Sequence, residues 1–148
     1  MSAANFSVAR TTWAKDAERL RTVRLTVFVI EQQVDEEEEW DEADAECSHV
    51  LAVSSDGAPI GTGRLDPAGK IGRMAVLAQW RGHDVGKRIM DVLLDIAQER
   101  GFERVYLNAQ ITARGFYERF GFAAVGDTFI EANILHVRME RELVAVEG

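Results

Sequence analysis

The 148-residue chain has a single cysteine, Cys47, and so no partner for a disulfide within itself. It lacks any apolar run near the roughly 20 residues that cross a bilayer. Its first ten residues, MSAANFSVAR, lack the basic segment and apolar stretch of a secretory signal. These absences argue against disulfide-scaffold and helical membrane classes, and the cytoplasm is the expected compartment. Excess positive charge is missing too. Seventeen Lys and Arg against 25 Asp and Glu leave a net charge of −8, which argues against nucleic-acid phosphate as the main partner. No close spacing of Cys47 with the histidines suits a metal, so none is expected. With no repeat and no linker, residues 1–148 are expected to form one domain.

What is present is an alternation of periods. Asp16 to about Ile30 has Leu20, Val23, Val27 and Ile30 at helical spacing, although its second half, VRLTVFVI, is rich in β-branched residues. SHVLAVSS and IGTGRLD flank Asp56-Gly57 and predict a hairpin. A turn at DPAGK leads to a third strand, IGRMAVL, residues 71–77. KRIMDVLLDIAQER, 87–100, has one apolar face (Ile89, Val92, Leu93, Ile96 and Ala97) and ends at Gly101. VYLNAQ, 105–110, completes a β-α-β unit, which makes its strand parallel to 71–77. ARGFYERF, 113–120, is a short helix stopped by Gly121, and FAAVGDTFI and NILHVRMERE are two closing strands. The fold class is a single-domain α/β mixed sheet, an antiparallel meander feeding a parallel crossover.

Two stretches carry unusual charge. Residues 31–46, EQQVDEEEEWDEADAE, hold ten Asp or Glu and no Lys or Arg. They form either a solvated loop or an acidic wall that draws in a cationic substrate. QWRGHDVGKRIM, 79–90, places Gly82 and Gly86 with Arg81, Lys87 and Arg88 at the start of a helix. Free N–H groups and the helix dipole make such a start an anion site. A Walker A loop needs four residues between its glycines and a Ser or Thr after the lysine; here three intervene and Arg88 follows. A dinucleotide fingerprint does not fit either. The plain alternative is a helix start capped by Asp84 that binds nothing.

The order of strand, R-x-x-x-x-G loop, helix, strand and FYxxxGF resembles the GNAT superfamily of N-acetyltransferases. VFVIEQQV at 27–34, the acidic stretch ending at His49, IGTGRL, GRMAVL, LNAQ, FYERFGF and FIEANILHVRM together resemble its ElaA-like branch, over roughly residues 15 to 140. Asp84 stands where the family's central glycine is usual. Asn133 and Leu135 depart from the family's tail, while Glu131, Ile134 and His136 keep it. The resemblance implies acetyl-CoA as cosubstrate, held between diverging ends of strands 71–77 and 105–110. Pyrophosphate would meet backbone amides of Gly82, Asp84, Val85 and Gly86, with Arg81 and Lys87 beside it. Met74, Ala75 and Val76 would pair with the pantetheine arm, and Asn108 would add a polar contact.

The implied reaction is direct attack of an amine, from a small molecule or a peptide, on the thioester. Tyr117 stands where the family often keeps a tyrosine general acid. Strand 71–77 has no carboxylate, so the base is sought among Glu31, Glu131, His49, His136 and a water relay. Two other readings stay open: a non-catalytic acyl-CoA-binding module of the same fold, and an unrelated nucleotide-binding domain. Exposed strand edges also make a homodimer a candidate assembly.

Overall fold

A computed structural model describes residues 5–40 and 42–143. The first strand, β1 (Phe6–Thr11), precedes every element that sequence periodicity predicts. It is six residues long, and only Phe6 and Val8 pack on the core, too weak a period to stand out. Thr12 then caps α1 (Trp13–Arg24), its side chain accepting from the Lys15 amide at 3.2 Å. The helix therefore begins three residues before Asp16. Its β-branched continuation, Leu25–Glu31, widens into a π-helix.

The acidic run contributes α2 (Glu36–Glu39) and a 3₁₀ turn at Glu42–Glu46. Asp41 lies outside the described residues. The meander follows as β2 (Ser48–Ser54), β3 (Pro59–Leu65) and β4 (Ile71–Val76), and β1 pairs with β2 to give the order β1-β2-β3-β4. Helix α3 (Val85–Glu99) leads to β5 (Arg104–Gln110), and α4 (Arg114–Glu118) leads to β6 (Ala123–Glu131) and β7 (Ile134–Glu142). β7 inserts between its neighbours, giving a second sheet of order β5-β7-β6. The expected parallel contact between β4 and β5 is reduced to one bridge, Lys70 to Tyr106.

Alternation along β3 divides its two faces. Gly61 and Gly63 lie under α3: a Cβ on Gly61 would sit 2.9 Å from Ile89, and one on Gly63 would sit 2.7 Å from Ile89 and 2.8 Å from Leu93. Glycine thus lets the helix rest directly on the strand. The main core, with Ile89, Met90, Leu93, Val105, Leu107 and Met139 buried, fills that side. The other face carries Thr62 and Arg64 and is covered by α1. There Val23 and Val27 pack on Ala75 of β4.

Candidate active site

With only the Lys70–Tyr106 bridge and a Tyr106 N–H donation to Gly69 O joining them, the two sheets part like a wedge. A cleft of about 1220 Å³ opens between β4 and β5. Met74, Ala75, Val76, Arg81, Gly82, Asp84, Val85, Gly86, Lys87, Asn108, Tyr117 and His136 all border it, so these sequence-selected residues come together. β4 reaches the cleft through a bulge. Its register against β3 jumps between Thr62 and Arg64, Arg73 adopts φ 50°, and the Thr62 hydroxyl donates to Arg73 O at 2.9 Å.

The start of α3 faces the mouth of the wedge. Gly82 at φ 84° and Asp84 at φ 66° turn the chain into it. Asp84 accepts the first helical bond, from the Arg88 amide at 3.0 Å, but its exposed side chain makes no cap bond. Asp84 as a side-chain cap is therefore corrected: the left-handed backbone turns the carboxylate away from the first-turn amides. A Cβ on Gly86 would make only ordinary contacts, with the Phe116 ring at 3.5 Å and Val76 Cγ2 at 3.8 Å. The chain's own packing does not demand that glycine, and the space it leaves belongs to the cleft.

Arg81 is committed to protein. Its guanidinium forks onto Glu31 at 2.6 and 2.7 Å, and its Nε donates to Val76 O at 3.0 Å. The hydrogen bonds from Arg81 hold the Glu31 carboxyl below the usual carboxylate range, opposed weakly by burial. A carboxylate so held is a poor proton acceptor, and Glu31 is absent from the cleft lining. Its neighbour Gln32 exchanges amide bonds with Gln110 of β5, at 2.9 and 3.4 Å. Residues 31 and 32 thus strap one wall of the wedge to the other, a feature that the run VFVIEQQV signalled only by its polar ending.

Tyr117 is half-buried beside Phe116 and Phe122, with ring centroids at 5.1 and 6.2 Å. Burial pushes its hydroxyl up to about 12, so it stays protonated at neutral pH. His136 is buried and stacked on Phe129. Its Nδ1 lies 2.6 Å from Ile134 O, which fixes the proton there and leaves Nε2 as the acceptor atom, 3.8 Å from the Glu131 carboxylate. His49 differs. Its Nε2 donates to Asp44 O at 2.7 Å and its ring lies against Trp13. Burial pulls its pKa below 6.5 despite Asp44, so His49 is a neutral strut set apart from the cleft lining.

The acidic run is not solvated throughout: Glu31, Asp35, Glu36, Glu37, Glu42 and Glu46 are exposed, but two of its carboxylates are not. Glu39 and Asp44 are each 3% exposed. The buried Arg24 guanidinium donates to Glu39 Oε1 at 2.6 Å and Asp44 Oδ1 at 2.9 Å, and Arg64 joins Asp44 at 2.8 Å. Burial pushes both carboxyls up. At Asp44 the Arg24 and Arg64 bonds outweigh it and lower the pKa, whereas at Glu39 burial prevails over Arg73 and Arg24 and the pKa rises. Sequence polarity hides such internal counter-charges. Cys47 is buried. Among the described residues no group of three or more His, Cys, Asp or Glu is placed to hold a metal, and no helix is long and apolar enough to cross a membrane.

This architecture has known relatives. Residues 16–143 match the family model described as an acetyltransferase (GNAT) domain. YjcF of Bacillus subtilis, described as an N-acetyltransferase, is 37% identical over 87% of this chain and 96% of its own. ElaA of Escherichia coli is 31% identical over 84% of this chain and 86% of its own, and its crystal structure superposes with a TM-score of 0.81 over 92% of this chain and 99% of the other. An acyl-CoA N-acyltransferase from Pseudomonas aeruginosa, 29% identical, gives a TM-score of 0.82 over 93% and 99% of the two chains. The reading as an unrelated nucleotide-binding domain falls with these matches. The wedge, the phosphate-ready helix start and the matched sequence converge: the chain belongs to the GNAT family of N-acetyltransferases, among its ElaA-like members.

Proposed function

We propose that the protein transfers the acetyl group of acetyl-CoA to a primary amine of a small molecule or peptide by direct attack. The observation that carries this reading is the wedge between β4 and β5 with the free N–H groups of α3 at its mouth. The chain fits the cosubstrate: Gly86 borders the cleft with no side chain of its own, and Lys87 adds a charge without an ion-pair partner among the described residues. When bound, acetyl-CoA supplies an electrophilic thioester carbonyl and a thiol leaving group.

The chain's residues then divide the work. Amides of Gly82 to Lys87 hold the pyrophosphate. The backbone of Met74 to Val76 pairs with the ligand's amides, and an N–H near Val76 polarises the carbonyl. Asn108 contributes a polar contact from β5. His136 Nε2 takes the proton that the acceptor ammonium must lose, and the Glu131 carboxylate faces the charge that develops on the ring. Tyr117 offers its O–H to the departing sulfur. Glu31 positions Arg81 and takes no proton.

The test is thermal unfolding with acetyl-CoA, dephospho-CoA and ATP, after mass spectrometry has checked for CoA carried through purification. Acetyl-CoA at about 100 times its Kd adds roughly 2.7 kcal/mol, or about 5–10 °C for a domain of this size. Stabilisation by ATP but not by acetyl-CoA overturns the reading. Binding without turnover across a broad amine panel would instead leave the chain as a non-catalytic acyl-CoA module.

A further inference from the structure

We infer that the acceptor amine carries an anionic group, carboxylate or phosphate, held at the floor of the cleft by Lys70. This rests on the acetyl-transfer reading above. The chain's net charge is −8, yet six cations border its cleft; Arg81 is paired with Glu31, Arg64 with Asp44 and Arg73 with Glu39, which leaves Lys70, Lys87 and Arg119 without an ion pair among the described residues. Lys87 and Arg119 belong to the helix starts and turns on the phosphate side. Arg64 and Arg73 lie on the face covered by α1, beside Asp44 and Glu39, and Lys70 stands at the apex of the wedge by its bridge to Tyr106. The Glu39 carboxylate there is already engaged by Arg24 and Arg73.

Lys70 is the charge of this group with no ion pair among the described residues. Its backbone N–H is held by Asp66 at 2.9 Å and its Cα by the bridge to Tyr106, so its base is fixed. Its side chain is half-buried. A ligand anion in the cleft would supply this ammonium with a charge-assisted partner. An acceptor amine must be neutral to attack, so this floor does not oppose it. A second cation on the acceptor would be repelled, which gives specificity by exclusion. Lys70 lies five residues before Ala75 on a strand rising about 3.3 Å per residue. Allowing for the reach of the lysine, the anionic group lies on the order of 10 Å from the reacting amine.

The experiment compares 6-aminohexanoate, 6-aminohexanamide and 1,6-diaminohexane as acceptors for the wild type and Lys70→Met. The wild type is expected to show a KM for the carboxylate about tenfold below that for the amide, with the diamine poorest. In Lys70→Met that ratio should fall towards one through KM, with kcat and acetyl-CoA affinity unchanged. Should these amines turn over too slowly, calorimetry with the acetylated acid and the acetylated amide reads the same preference from binding. Equal use of acid and amide, preference for the diamine, or a ratio that survives Lys70→Met overturns the inference. Failure of the wild type to bind acetyl-CoA would sink the enzymatic reading instead.

Discussion

Asp84 sets two demands against each other. A backbone at φ 66° suits glycine, and an L-residue there costs about 1 kcal/mol, less for Asp and Asn than for most. A carboxylate within a few ångströms of pyrophosphate adds a repulsion of roughly 1–4 kcal/mol, depending on exposure. Asp84→Gly removes both and is expected to tighten acetyl-CoA about tenfold, about 1.4 kcal/mol, while raising Tm by a few degrees. Asp84→Asn separates them, since it tolerates the backbone but carries no charge. Titration calorimetry on both variants decides: if Asn gains as much affinity as Gly, charge dominates, and if neither gains, repulsion is not the controlling effect. Tyr117 makes a cleaner demand. Tyr117→Phe keeps the ring among Phe116 and Phe122 and loses the O–H, so kcat should drop by about 10²–10⁴ with acetyl-CoA affinity unchanged. A wild-type kcat in the variant would remove Tyr117 from the chemistry.

At the scale of elements, α3 and β3 hold the glycine loop at 82–86 in place, and two glycines probe that differently. Gly63→Ala drives a methyl into Ile89 and Leu93 and is expected to cost about 1–3 kcal/mol of stability. Gly86→Ala meets only ordinary contact within the protein, so its Tm should hold while acetyl-CoA binding weakens. Denaturant melts beside ligand titrations distinguish the two, and a normal affinity in Gly86→Ala would mean that the ligand does not approach there. α3, its loop and the three-strand meander were legible because period and glycine placement are local signals. β1 was too short to declare itself. The strap was not legible, since nothing local ties Gln32 to Gln110, 78 residues away. Nor were Glu39 and Asp44 as buried struts, because a run of carboxylates looks solvated until the arginines that neutralise it are brought in by α1, β3 and β4. Glu31 has the chemical type of a base, but its partner Arg81 lies 50 residues away and leaves no local signal.

For the molecule as a whole, the buried charge cluster sets an acid limit. His49 binds no extra proton when folded, because burial holds its pKa below 6.5, but its unfolded counterpart protonates through that value. Between the two pKa values the unfolded chain holds more protons, so stability falls as pH drops below about 6.5, by at most about 1.4 kcal/mol per pH unit. His49→Gln retains a donor for Asp44 O and does not titrate, so its Tm should fall less steeply between about pH 6.5 and 5. Parallel Tm–pH curves for the two proteins would remove His49 from the acid response.

The single bridge between Lys70 and Tyr106 also makes the molecule a lever. From that apex β4 runs about 20 Å to the mouth, so a rotation of only 5° between the sheets widens the opening by about 2 Å. The strap resists that rotation at the mouth, where its ion pair and paired amides stretch, and the core shared by the two sheets resists it behind. The gauge of the opening at the mouth thereby falls to two adjacent side chains, Glu31 and Gln32, each fastened to a different wall.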